Sequence, residues 1–460
     1  MVLKKFFGDK AFYKMLLSLT VPIMIQNIIT NFVSLLDNIM VGALGTEQMS
    51  GVSIVNQLLF IFNLAIFGAL SGAGIFTSQF YGKKDPDGIR YTVRYKIYIG
   101  LLILVVGIGI FTFFKTPLIN LFLHESDGSG DITLTLSYAK DYLNVILWGL
   151  FPFCVTQVIS SSLRETGETV VPMAASFVAV VVNCSFNWVL IFGKLGFPAL
   201  GVVGAATATN ISRYTECIIL ILYTIKKRSR FPYFKGLFKS FYIPGRICRD
   251  ITVKGMPLLF NELFWSLGMT LLSVVYSLHG IDVVAGYSIS STVMNLANIA
   301  FISMGASISI IVGKLLGANE FEKAYDTDRK LITFSVLISI VVSFVVFNLA
   351  DYIPLIYNTS PQSKEYAAYF IKAASCFSFI HAFANAAYFT IRSGGRTVIT
   401  FLMDSVYMMV VAVPFAFSLY YVFHLDILVS FPIIQAVDII KVIIGLVLIK
   451  KRVWLNNIVD

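Results

Sequence analysis

The sequence predicts an all-α polytopic membrane protein: twelve transmembrane helices in two six-helix lobes related by a pseudo-twofold axis along the membrane normal. Three observations carry this reading. Apolar residues make up 57% of the 460 positions and charged residues only 13%, the balance of a chain mostly buried in lipid. Apolar runs of about 20 residues or more, long enough to cross a bilayer as helices, recur twelve times. The second half of the chain repeats the first.

In order, the runs cover residues 14–41, 50–80, 92–114, 137–162, 170–193, 202–225, 251–279, 285–315, 330–350, 366–391, 397–421 and 427–449. Basic residues fill alternate connections. Lys4, Lys5, Lys10 and Lys14 precede the first span, and Lys83, Lys84, Arg90, Arg94 and Lys96 follow the second. Arg164 follows the fourth, nine basic residues run from Lys226 to Lys254, Lys314, Lys323, Arg329 and Lys330 follow the eighth, and Arg392 and Arg396 the tenth. The other connections hold Lys115, Lys194 and Lys364 with the acids Glu125, Asp127 and Asp131. Positive residues concentrate on the cytoplasmic side, so both termini are expected there, in a multi-pass protein of the cell membrane. Residues 1–225 form the N-lobe, 226–250 a basic cytoplasmic linker and 251–460 the C-lobe.

A shift of 235 positions superposes Pro22 on Pro257, Gly45 on Gly280, Gly51 on Gly286, Asn63 on Asn298, Gly82 on Gly317 and Arg94 on Arg329. Past the loop Ser126 to Gly130 the shift becomes 228, which pairs Tyr138 with Tyr366, Arg164 with Arg392, Gly167 with Gly395 and Arg213 with Lys441. Six spans per half is an even number, so both halves enter the membrane from the same side. Parallel repeats of this kind place a binding cleft at their interface near the bilayer midplane and expose it alternately to each side.

Several function classes are excluded. The net charge of +10 sits in short loops and reports orientation, not nucleic-acid binding. Cys154, Cys184, Cys217, Cys248 and Cys376 show no metal or disulfide spacing. No phosphate-binding P-loop, no His-Glu-x-x-His and no loop large enough for a catalytic domain occurs, so neither an enzyme nor an ATP-driven pump is expected, and no cofactor.

Chemistry concentrates in the spans. Asp37 lies within the first, and a carboxylate in hydrocarbon is costly unless it faces protein or water, which makes it a functional candidate. Gln26, Thr30 and Asp37 share one helical face, with Ser34 one turn before Asp37. Glu262 in span seven is the second acid. It matches Asn27 in the repeat while Asp37 matches Leu272, an asymmetry that favours use over scaffolding. Ser378, His381, Asn385, Tyr388 and Arg392 form a polar stripe on span ten, consistent with a cavity wall, and His381 is suited to titrate near neutrality. The packing alternative stands beside each of these. Arg213 with Glu216, and Asp438 with Lys441, sit three apart and can pair on their own helices.

With Asp37-x-x-x-Val-Gly-x-Leu-Gly closing span one, Asn183-x-x-x-Asn187 in span five, Gly201-x-x-Gly204-Ala205-Ala206 opening span six, Gly255-x-Pro257 with Glu262, and Arg392-x-Gly394-Gly395, the chain resembles the multidrug and toxic compound extrusion (MATE) family over nearly its whole length. The resemblance implies a secondary antiporter that exports organic, usually cationic, small molecules in exchange for Na+ or H+, with the span-one aspartate and span-seven glutamate prominent. It implies a bilayer-embedded chain, expected as a monomer, with no nucleic-acid partner. This chain has Asn187 where relatives carry an aspartate, and His381 where some carry an acid. A sodium ion needs about five or six oxygens by analogy with other hard cations, and Asn183, Asn187 and Thr207 are the side chains placed to join Asp37. For an amphipathic cation, Gln26, Asn27, Thr30, Ser34, Trp265, Met269, Met294, Ser378, Asn385 and Tyr388 offer polar, aromatic and thioether contacts. The alternative is a lipid-linked precursor flippase of the same broad superfamily, which requires basic cavity groups for a pyrophosphate.

Overall fold

The computed structural model describes residues 6–123 and 131–460, without the side chains of Ser34 and Leu35. The expectations on Lys4, Lys5, Glu125, Asp127, the Ser126 to Gly130 loop and the Ser34 side chain therefore lie outside the described residues. Twelve long helices follow one another: α1 Lys10–Gly42, α2 Thr46–Lys83, α3 Pro86–Phe113, α4 Ile132–Glu165, α5 Val170–Phe192, α6 Gly201–Lys226, α7 Gly245–Ser277, α8 Ile281–Gly317, α9 Phe321–Leu349, α10 Pro361–Ser393, α11 Thr397–Tyr421 and α12 Ile427–Lys450. Eleven are long and apolar enough to cross a membrane. The other, α6, has 26 residues but carries Thr207, Asn210, Arg213 and Glu216 along its middle.

Local sequence explains the main irregularities. Pro22 and Pro257 lie inside α1 and α7, where each removes one backbone donor from the helical ladder. Asp131 caps α4, accepting from the Thr133 and Leu134 amides. With the Thr133 hydroxyl these donors hold its carboxyl below the usual carboxylate range. In α11, π-helical turns at Leu402–Val406 and Met408–Ala412 shift the register of the side chains within them, Asp404 included, a device frequent at functional sites.

Contacts divide the chain into two units: Met1–Met24 with Ser78–Asp85 and Ile251–Asp460, and Ile25–Thr77 with Pro86–Asp250. In the first, Tyr276, Met294, Phe370, Tyr407, Met408 and Phe431 form a core shared by α7, α8, α10, α11 and α12. In the second, the fully buried Lys96 of α3 pairs with Glu165 at the end of α4 and reaches Ser161 and Ser162 at 3.2 and 3.3 Å.

At 38 and 37 residues, α2 and α8 are each about 55 Å long at 1.5 Å per residue. The hydrocarbon layer is about 30 Å thick, so their ends extend past it. Those ends cross within the first unit. A Cβ on Gly82 would meet the Lys314 carbonyl oxygen at 2.0 Å, and one on Gly317 the Gln79 carbonyl oxygen at 1.9 Å. Gly82 matches Gly317 and Gln79 matches Lys314 at the 235-residue offset, so the two glycines occupy one site twice. The chain terminus ties the crossing down: Gln79 accepts from the Ile458 amide at 2.8 Å and donates to the Ser393 carbonyl at 2.9 Å, Lys83 donates to the Val459 carbonyl at 2.6 Å, and Trp454 is fully buried.

Because backbone, not a flexible side chain, blocks both positions, Gly82→Ala and Gly317→Ala are each expected to cost about 1–3 kcal/mol. Gly109→Ala, where nothing lies within 4 Å of the added carbon, is expected to leave stability unchanged or slightly raised. Thermal unfolding of the purified protein in detergent checks the contrast.

Candidate functional site

Polar groups inside a bundle must find partners within it, and the described residues satisfy them in a few clusters. In the second unit, α5 presents Asn183 and Asn187 four residues apart, both essentially buried. The Asn187 amide nitrogen donates to the Asp37 carboxylate and to Asn183 Oδ1 at 3.1 Å, and Asn183 donates to Thr209 Oγ1 at 3.4 Å. Asn187 Oδ1 is buried without a partner. Arg213 of α6, stacked 5.2 Å from the Phe153 ring, acts on Asp37 electrostatically but forms no ion pair with it among the described residues.

A second N-half chain links four helices. Arg164 donates to Gln26 Oε1 at 3.3 Å, Gln26 donates to Ser176 Oγ at 2.9 Å, and Ser176 donates to Glu216 Oε1 at 2.6 Å. The i, i+3 arrangement on α6 had suggested that Glu216 pairs with Arg213. Glu216 takes the Ser176 hydroxyl instead, because that donor reaches it from the facing helix α5.

The C-half cluster surrounds the π-helical part of α11. Asn261 of α7 donates to Asp404 Oδ2 at 3.1 Å and to the Tyr388 hydroxyl at 3.3 Å, while Ser405 donates to Asn261 Oδ1 at 2.8 Å. Lys441 of α12 lies 3.4 Å from Asp404 and 3.5 Å from Asp438, and His381 Nε2 lies 3.4 Å from Asp438. Lys441 also sits over the Tyr407 ring at 5.2 Å. Two carboxylates, one ammonium and one imidazole thus share a single network.

The two halves build one contact in two chemistries. At the repeat offsets Gln26 matches Asn261 and Ser176 matches Asp404, so the bonds Gln26 to Ser176 and Asn261 to Asp404 are equivalents. The sequence reading had not drawn Ser176, Thr209, Asn261 or the Asp404–Lys441 pair. The offsets carried the signal for three of them, since they align two amides and align Arg213 with Lys441.

Other expected site residues fall as follows. Glu262 has no ion-pair partner among the described residues and feels the charges of Arg392 and Asp404. Thr207 donates to its own helix at Val203 O, 2.7 Å, and Thr209 is the threonine that joins the asparagines. Thr30 donates to the Gln26 carbonyl at 2.9 Å, and the Asn27 carbonyl accepts from Asn31 at 2.8 Å. Trp265 is 37% exposed, Met269 packs on the C-half core and Met294 lies inside it. The α10 stripe is divided among different partners: Ser378 bonds the Ala374 carbonyl, His381 reaches Asp438, Tyr388 takes Asn261, and Asn385 Oδ1 is buried without a partner.

Among the described residues no group of three His, Cys, Asp or Glu side chains is placed to hold a metal. The Asp37 site instead combines one carboxylate with amide and hydroxyl oxygens, a donor set suited to a hard monovalent cation or a proton. The amide nitrogen of Asn187 faces Asp37. Rotating that amide by half a turn presents the orphan Oδ1 to a cation beside the carboxylate and leaves the nitrogen to seek another acceptor.

Lys441→Met removes the one lysine that two half-buried acids share and is expected to cost about 3–5 kcal/mol. Asp404→Asn, which leaves Lys441 its Asp438 partner and keeps an acceptor for Asn261, is expected to cost less. The order of the two melting temperatures in detergent checks this.

A family model described as MatE matches residues 22–189 and 257–446, two segments that begin at the same 235-residue offset as the internal repeat. The chain is 27% identical over 417 residues to a probable multidrug resistance protein NorM of Thermotoga maritima, covering 90% of this chain and 87% of that protein. It is 25% identical over 433 residues to the probable multidrug resistance protein YoeA of Bacillus subtilis, covering 92% and 90%. Its fold is similar to a crystal structure of MATE in the bent conformation, with a TM-score of 0.85, 20% identity and coverage of 97% of this chain and 96% of that one.

Proposed function

This chain belongs to the multidrug and toxic compound extrusion (MATE) family of membrane transporters, and from that premise we propose that it is a secondary antiporter exporting organic, amphipathic cations in exchange for Na+ or H+. The observation that carries the reading is Asp37, an in-membrane carboxylate held by the neutral Asn187 amide and without an ion-pair partner among the described residues. An unpaired carboxylate in a low-dielectric interior takes up a small cation or a proton because burial penalises the bare anion. Asn187, Asn183 and Thr209 supply further oxygens, and Glu262 offers a second acid in the other half. Export across the cell membrane, with both termini cytoplasmic and the monomer as the working unit, completes the proposal. The names of the relatives, multidrug resistance proteins, support the substrate class.

The test is efflux of a lipophilic cationic dye from proteoliposomes under a sodium gradient alone or a proton gradient alone. One gradient is expected to drive export and the other not. Asp37→Asn is expected to reduce gradient-driven export at least tenfold, as loss of an obligatory charge, with unchanged elution and melting temperature. Full export by that variant overturns the role of Asp37, and export under neither gradient overturns antiport.

His381 Nε2 lies 3.4 Å from Asp438, at the edge of the Asp404–Lys441–Asp438 network. His381→Gln is expected to flatten the dependence of export on pH between about 5 and 8 while leaving the dependence on the Asp37 site in place. Initial rates measured across that range for both proteins decide it.

A further inference from the structure

Where the α6–α7 connection folds onto the start of α3, it borders an open cavity of about 460 Å³ lined by Arg90, Arg94, Lys235, Lys239, Ser240 and Tyr242. The charge in this wall is poorly balanced. Asp87 pairs with Arg90, and no other ion pair among the described residues involves these four cations. Arg94 is 6% exposed and uses its nitrogens on backbone: it donates to the carbonyls of Leu237 at 2.9 Å, Tyr242 at 2.9 Å and Gly236 at 3.2 Å. It thereby fixes the shape of the connection while leaving its charge uncompensated. Arg90 donates a further bond to the Pro232 carbonyl at 3.4 Å, and its Nε is buried without an acceptor. Lys235 and Lys239 are exposed at the rim.

The same connection is two-faced in apolar terms. Phe231, Tyr233 and Leu237 are buried and anchor it, with Tyr98 of α3 donating to the Phe241 carbonyl at 2.6 Å. Phe238, Phe241 and Tyr242 are 69%, 68% and 66% exposed, interleaved with the two lysines. Aromatic rings alternating with long cationic side chains next to the ends of membrane helices suit the headgroup layer, where rings meet acyl chains and ammonium groups reach outward. A cation-lined pocket bordering such a surface fits a phosphate carried on a lipid better than a free one, because only the lipid uses the rings.

We propose that this cavity binds the phosphate of an anionic membrane lipid, with Lys235 and Lys239 as its donors, the charges of Arg90 and Arg94 behind them, and Phe238 and Phe241 against the glycerol and acyl region. The site lies within one unit of the protein and is independent of the Asp37 chemistry, so it stands or falls separately from the antiport reading.

The experiment uses the full chain in detergent, with bound lipid counted by native mass spectrometry during titration with phosphatidylglycerol, phosphatidylcholine, glycerol 3-phosphate or inorganic phosphate. Phosphatidylglycerol is expected to fill one site well before phosphatidylcholine does, and millimolar inorganic phosphate is expected not to displace it. Lys235→Gln with Lys239→Gln is expected to weaken phosphatidylglycerol at least tenfold, Lys235→Arg with Lys239→Arg to restore it, and Phe238→Ser with Phe241→Ser to weaken it without removing charge. Lys450→Gln with Lys451→Gln, the same loss of charge at the end of α12, is expected to change nothing. Binding unaltered by the glutamine pair, or equal loss in the Lys450/Lys451 control, overturns the site. Displacement of the lipid by inorganic phosphate at comparable concentration overturns its assignment to a lipid.

Discussion

Hydrocarbon offers a polar side chain no partner, and this one constraint organises the interior of the protein. Each amide, hydroxyl or charge within the spans has to be answered by another helix or held against its own backbone. The first option ties helices together at defined heights. Gln26 to Ser176 joins α1 to α5, and Asn261 to Asp404 joins α7 to α11. The second option is taken by Thr207 and Ser378, whose hydroxyls return to carbonyls of their own helices. A hydroxyl that donates to its own backbone can still accept across helices, as Thr209 does from Asn183 while donating to the Ala205 carbonyl at 3.0 Å.

The duplicated tie shows how a repeat can keep a contact and change its chemistry. An amide on the first helix of each half donates to the fifth. In the N-half the acceptor is the neutral Ser176, which passes the bond to Glu216 on α6. In the C-half it is the carboxylate of Asp404, which then requires a cation close by and finds Lys441. The charge introduced at the equivalent of a serine is thus compensated at the equivalent of Arg213, and the π-helical turns of α11 supply the aim that a regular helix would not.

The fold was legible because apolar length, alternating loop charge and the two repeat offsets are all one-dimensional signals. Asp37, Glu262 and Asn187 stood out as polar groups in long apolar runs, and the structure joins two of them, Asn187 to Asp37. Partners were harder to read. Thr207 and Thr209 both lie on α6 within one turn of each other, and nothing in the sequence says which faces α5. The Asp404–Lys441 pair joins helices through a segment whose winding departs from 3.6 residues per turn, so the helical wheel misplaces Asp404. The α10 stripe from Ser378 to Arg392 is a true face of the helix, yet His381 meets α12, Tyr388 meets α7 and Ser378 returns to its own backbone, because a face more than two turns long spans several partners.

Among the acids within the spans, the networks themselves rank fitness for exchange. Asp404 and Asp438 share Lys441, and a small cation entering there would have to displace an ammonium already in place or repel it. Glu216 accepts from Ser176 and belongs to a chain that ends on Arg164. Asp37 accepts from an amide and has its nearest cationic influence in Arg213, which forms no ion pair with it among the described residues. An amide can turn its oxygen toward an incoming ion and its nitrogen toward a bare carboxylate at little cost, whereas a lysine can do only the second. On this reasoning the proposed exchange is best served by Asp37, a carboxylate answered by a reversible partner, the Asn187 amide, which is the condition under which uptake and release of a cation can alternate.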